Sequence, residues 1–120
     1  MKQLSNREEQ ILAILWEMKQ AFVKEIVAKL PDPKPHYNTI STIIRSLEEK
    51  GYVGYESFGN SHRYFPIISK EAYQKKAVKN VIHNFFDNSY KKMVAFFAEE
   101  EEISEEELKD IIRMIKQKKS

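Results

Sequence analysis

Cysteine is absent from the 120 residues. Disulfides and thiolate metal sites are therefore excluded, and a reducing, cytoplasmic location is expected. Long apolar runs are absent too. None approaches the roughly 18–20 residues that span a bilayer, so direct membrane insertion is not expected. Residues 1–7 lack the basic, then apolar, then small-residue order of a signal peptide. Glycine is scarce, with three in all, and no Gly-rich phosphate loop can be drawn from them. The three histidines, His36, His62 and His83, never fall at His-x-x-x-His spacing. No metal, no cofactor and no enzymatic activity are expected from this inventory. The acidic run at residues 99–102 reads as a solvated lead-in to a helix.

Charge of one sign is also in short supply. The net charge is +2. Residues 1–69 carry 9 Lys/Arg against 8 Asp/Glu, and residues 70–120 carry 11 against 10. A nucleic-acid surface, if present, has to come from local placement of side chains.

What is there is periodic. Ser5-Asn6-Arg7-Glu8 has the form of a capping box. Ile11, Leu12, Leu15 and Trp16 follow at helical spacing, predicting a first helix to about Met18. Phe22, Ile26, Val27 and Leu30 predict a shorter second helix, ended by Pro31, Pro33 and Pro35. Ile40, Ile43, Ile44 and Leu47 predict a third over residues 37–50, with Gly51 as its C-terminal stop. Residues 52–58 and 62–66 read as two strands around a turn at Gly59-Asn60-Ser61. Three helices and a hairpin is the order of a winged helix-turn-helix. From about Ser69 the pattern is helical throughout. Tyr73, Ala77, Val81 or Ile82, Phe85 and Phe86 form one apolar stripe, and Tyr90, Met93, Val94, Phe96 and Phe97 another. A second capping box, Ser104 to Glu107, precedes Leu108, Ile111, Ile112 and Ile115. The fold class is mainly α with a small β-hairpin wing, followed by a helical C-terminal domain.

Helical geometry gives the third helix two faces at about 100° per residue. Tyr37, Ile43, Ile44 and Leu47 lie within about 60° of Ile40. Asn38, Ser41, Thr42, Arg45, Ser46 and Glu49 lie opposite. Short hydroxyls on that face permit close approach to a DNA groove, while Asn pairs bidentately with adenine and Arg with guanine. Asn60, Ser61, His62 and Arg63 form a short polar wing tip. Lys34 and His36 precede the helix, placed for phosphate. Two other function classes stay open on the residues alone: a winged domain used for protein recognition, and a small-ligand-responsive regulator with a pocket among Tyr73, Phe85, Tyr90 and Phe97.

The apolar residues of the second half are too many for three short helices to bury alone. Phe85, Phe86, Phe96, Phe97, Leu108, Ile111 and Ile115 are therefore expected at a homodimer interface or in the core beneath it. Two linked winged domains gain about 10²–10⁴-fold in effective affinity without new contacts, which offsets the weak charge.

In their order and spacing, several of these residues resemble the BlaI/MecI family of bacterial repressors, which control β-lactamase and related genes. They are Glu8, Ile11, Leu12 and Trp16, then Thr39-Ile40-x-Thr42-x-Ile44-x-x-Leu47-x-x-Lys50-Gly51, then Tyr64 and Pro66. The resemblance implies a winged-helix domain over residues 1–69 and a helical dimerisation domain over 70–120. It implies repression from an inverted-repeat operator, with Thr39, Ser41 and Thr42 facing the DNA. It also implies a membrane metalloprotease sensor as partner, cutting an Asn-Phe bond whose counterpart here is Ala95-Phe96. This sequence departs from the family pattern at that Asn, at Ser46, where the family commonly has Arg, and near Ser41, where a longer basic residue is shortened. The cysteine cluster of copper-responsive relatives is missing.

Overall fold

The computed structural model describes residues 4–119. Helix α1, Asn6–Met18, starts where both halves of the first capping box form: Ser5 Oγ accepts from the Glu8 N–H at 3.2 Å, and a Glu8 carboxylate oxygen accepts from the Ser5 N–H at 2.9 Å. Its Ile11, Leu12 and Leu15 are fully buried. Two residues, Ala21–Phe22, then form a strand, β1. Helix α2 is Val23–Lys29, shorter at its start than the apolar pattern suggests, because Phe22 pairs in the sheet and stands at the N-cap. Leu30 is extended, as a residue before proline must be.

Helix α3, Tyr37–Glu49, buries Ile40, Ile44 and Leu47. It ends in a Schellman motif: the Tyr52 N–H donates to the Leu47 carbonyl and the Gly51 N–H to that of Glu48, both at 3.0 Å. Gly51 sits at φ +86°, and a Cβ there would meet nothing within 4 Å. A Gly51→Ala substitution therefore meets backbone strain alone. It should cost about 1–2 kcal/mol, read as a lowered urea midpoint with an unchanged slope; an unchanged midpoint would refute the assignment.

Strands β2, Val53–Phe58, and β3, Ser61–Pro66, form the wing hairpin. The sheet is antiparallel in the order β1-β3-β2, with Tyr55 opposite Tyr64, Ser57 opposite His62, and Phe22 opposite Arg63. The third strand is the element that hydropathy did not reveal, since two residues carry no period. One core joins α1, α2, α3 and the sheet, with Tyr52, Val53 and Tyr64 buried beside the helical residues.

Helix α4, Lys70–Phe85, begins against this core. The Trp16 indole N–H donates to the Ile68 carbonyl at 2.9 Å, and the Tyr73 hydroxyl to the Glu9 carboxylate at 2.6 Å. The Tyr73 ring lies 5.7 Å from that of Trp16 and 5.8 Å from that of Tyr52. Burial, and then the hydrogen bond to Glu9, push the Tyr73 phenol well above the usual range. The chain divides into two compact units inside α4, one up to Gln74 and one from Lys75. The boundary that the family resemblance implies, after residue 69, lies slightly earlier.

The second unit holds the rest of α4, then α5, Tyr90–Glu99, and α6, Glu105–Lys119. Asp87 and Asn88 turn the chain at positive φ, and Ser89 caps α5. His83 Nδ1 lies 2.9 Å from Asn88 Oδ1, while Asp87 pairs with Lys92 at 3.0 Å. Ser104 and Glu107 form the second capping box. Among the described residues of this unit only Ile82 is buried. No described helix is long and apolar enough to cross a membrane.

Candidate nucleic-acid interface

The α3 helix is held from behind. Glu8, on α1, is the one charged side chain among the buried described residues. Its carboxylate accepts from Lys50 Nζ at 2.9 Å on both oxygens and from Ser46 Oγ at 3.1 Å. Burial alone would raise its pKa, but the hydrogen bonds from the Ser5 backbone, Lys50 and Ser46 outweigh that and hold it below the usual carboxylate range. Ser46 is thus half-buried and turned toward α1. The expectation that it shares the outward arc is corrected. The helical angle put it near the edge of that arc, and a buried acceptor drew it inward.

The outward side of α3 and the wing form one cleft of about 860 Å³. Asn38, Ser41 and Arg45 enter it from α3, and Asn60, Ser61 and His62 from the wing. Six side chains singled out in the sequence thus meet along a single surface. Arg45 Nε donates to the Ser41 carbonyl of its own helix at 3.3 Å. The remaining guanidinium donors have no protein partner among the described residues, which leaves a fork for a planar acceptor pair. Thr39 and Thr42 are exposed beside the cleft without lining it. The Thr42 hydroxyl donates to the Asn38 carbonyl at 3.0 Å, leaving its lone pairs as acceptors.

Three expected residues fall elsewhere. Lys34 Nζ donates to the carbonyls of Ala28, at 2.9 Å, and Leu30, at the C-terminal end of α2. There its charge meets the negative end of a helix. His36 is exposed at the N-cap of α3, outside the cleft lining. Arg63 pairs with Glu56 at 3.4 Å and lies 4.5 Å over the Phe58 ring.

The cleft also contains aromatic rings that the helical angles did not put there. Tyr37, assigned to the inward arc, is 53% exposed and lines the cleft. As the first residue of α3 it projects past the core edge. Tyr55 stacks on His62 with ring centres 4.0 Å apart and planes 7° from parallel. The period-2 alternation of β2 and β3 was the available signal, since Tyr55, His62 and Tyr64 share a strand-pair face. Burial, and next the nearby Glu48 charge, push the Tyr64 phenol up, so it stays neutral.

In the second unit, Phe85 (76% exposed), Phe96, Ile111 and Ile115 stand at the surface, while Phe86, Phe97 and Leu108 are half-buried. Phe96 contacts the rings of Phe86 and Phe97 at centroid distances of 5.6 and 5.3 Å. Ala95 and Phe96 lie in the body of α5.

A three-helix unit with a three-stranded sheet, its α3 and wing sharing one polar cleft, defines the winged-helix class. The solution structure of the DNA-binding domain of the repressor BlaI has this fold: it superposes with a TM-score of 0.52 at 24% identity, covering 59% of this chain and 88% of that one. The chain belongs to the penicillinase repressor family, which it matches over residues 4–117. It is 23% identical over 117 residues to the methicillin resistance regulatory protein MecI of Staphylococcus aureus (strain N315), covering 97% of this chain and 95% of MecI. The penicillinase repressor of Staphylococcus aureus is 28% identical over 120 residues, covering 97% and 95%.

Proposed function

We propose that this chain is a transcriptional repressor that binds an inverted-repeat operator as a homodimer. One observation carries the reading: the short polar face of α3 and the tip of the wing line the same cleft. Such a pair grips a duplex from both sides, α3 in the major groove and the wing along the adjoining backbone. Family membership supports repression as the outcome. The C-terminal part of the chain, from residue 70 onward, serves as the dimerisation domain, with Phe85, Phe96, Ile111 and Ile115 in the contact and Phe86, Phe97 and Leu108 beneath it. The protein acts in the cytoplasm and catalyses nothing.

Release follows from loosening that contact. A membrane metalloprotease sensor is the proposed trigger, with Ala95-Phe96 as the bond cut. The bond lies within α5, so cleavage requires that helix to unwind first. Mass spectrometry after incubation with the activated sensor tests this; DNA released from an intact chain refutes it.

The exposed Tyr37, Tyr55 and Phe58 around the cleft favour a second reading, a protein-recognition module, because interface anchors are commonly aromatic. One experiment separates the two. A duplex is selected from a random-sequence pool with the full chain, and affinities are measured for the wild type and Arg45→Ala. Arg45→Ala should lose about 1–3 kcal/mol more for the selected duplex than for random DNA. A pool that yields no enriched sequence rejects the repressor reading. Equal losses on both duplexes remove Arg45 from base reading.

A further inference from the structure

The formally charged residues lining the cleft cancel. Lys24 of α2 and Arg45 of α3 supply two positive charges, and Glu25 of α2 and Glu48 of α3 supply two negative ones. A phosphate entering this space meets no net fixed attraction. The remaining titratable groups are His62 and the phenols of Tyr37, Tyr55 and Tyr64. The His62 ring lies flat on Tyr55 and edge-on to Tyr64, at 4.0 and 6.1 Å between centres. Its nitrogens have no hydrogen-bond partner among the described residues. No buried polar side-chain atom there lacks a partner, so the nitrogens reach solvent. An imidazole is the side chain whose charge ordinarily changes between about pH 5 and 8.

We propose that His62 is a proton-gated phosphate ligand, and that the cleft between α3 and the wing seats one sugar–phosphate strand of the duplex. Protonation turns a charge-neutral cleft into one of charge +1 and gives the strand a charge-assisted N–H donor. The seating uses both walls: the α3 hydroxyl and amide of Ser41 and Asn38, and the wing tip at Asn60 and Ser61. DNA affinity then rises on acidification. This inference rests on the DNA-binding reading and adds a specific gate to it.

The test is fluorescence anisotropy on the full chain with the duplex selected above, at about pH 8 and about pH 6, each over the same series of salt concentrations. Wild type should tighten about tenfold per protomer, the worth of one hydrogen bond to a charged group. The slope of log affinity against log salt should steepen by about 0.9 for each phosphate engaged. His62→Gln should bind alike at both pH values. His62→Arg should bind tightly at both, which distinguishes charge from a misfolded wing. His36→Gln should keep the full pH dependence, whatever it does to affinity. Binding that is tight but independent of pH, or pH dependence that survives in His62→Gln, overturns the gate and leaves the repressor reading standing. Failure to bind at either pH overturns both.

Discussion

Ile111→Asp combined with Ile115→Asp will leave the chain monomeric and lower its affinity for a two-half-site duplex by about 10²–10⁴-fold. The two positions are four apart on α6, on one face, and each is about half exposed in the single chain. Full burial of a large apolar side chain contributes about 1.5–3 kcal/mol, and a half-exposed one gains about half of that on being covered. With Phe85 and Phe96 included, four such residues per protomer offer a favourable sum large enough to hold a dimer at working concentrations. A carboxylate in place of each isoleucine removes that gain and adds a desolvation cost. The winged unit should be untouched, because its core draws on residues from Leu4 to Tyr64, with Ile68 and Tyr73 packed against it. Sedimentation velocity reads the oligomeric state, and the retained near-ultraviolet signal of Trp16 reports the winged unit. A dimer that persists would place the contact elsewhere. A monomer that binds the duplex as tightly as wild type would remove the avidity argument, and with it dimer loosening as the route to release.

The helical elements were legible because their signals are local. The capping boxes at Ser5 and Ser104, the prolines after Leu30 and the glycine after Lys50 mark their ends chemically. The 3.6-residue period of Ile40, Ile44 and Leu47 then fixes which face of α3 is inward. The polar face opposite followed from angle alone, and six of the expected DNA-binding residues do line one cleft. What angle could not supply is anything that depends on a second element. Lys34 looked free because the carbonyls it bonds belong to the preceding helix end. Arg63 looked like a wing-tip cation, but strand register sets it beside Glu56 and over Phe58. Tyr37 was assigned inward by angle and Tyr55 only to a strand, and the packed wing shows both lining the cleft. The same limit hid β1, whose two residues become a strand solely by pairing with β3.

The least legible feature, the Glu8 anchor, carries the second large effect. Glu8 and Lys50 are 42 residues apart, and the capping box that marks Glu8 gives no sign of this second partner. Together with Ser46 they tie the start of α1 to the end of α3. The side chains are only 7% and 22% exposed, so little solvent screening reaches the pair. Lys50→Met keeps the stem that packs at the helix end and deletes the ammonium. Glu8 is then a buried carboxylate without its counter-charge, the situation in which removing one partner of a buried pair costs 3–5 kcal/mol. Partial exposure of Lys50 lowers the expectation to about 2 kcal/mol at neutral pH. The pH dependence identifies the cause. In wild type the folded-state pKa of Glu8 lies below its unfolded value, about 4.3 for a free glutamate. Its stabilising contribution is therefore full above that value and is lost as pH falls through the folded one. In Lys50→Met, burial is no longer outweighed to the same extent, so acid relieves the variant where it weakens the wild type. The deficit measured by urea unfolding should shrink as pH falls from the variant's raised Glu8 pKa to the wild type's lowered one. A deficit that is the same at about pH 3 and pH 7 would assign the loss to packing of the lysine stem and leave Glu8 without an electrostatic role.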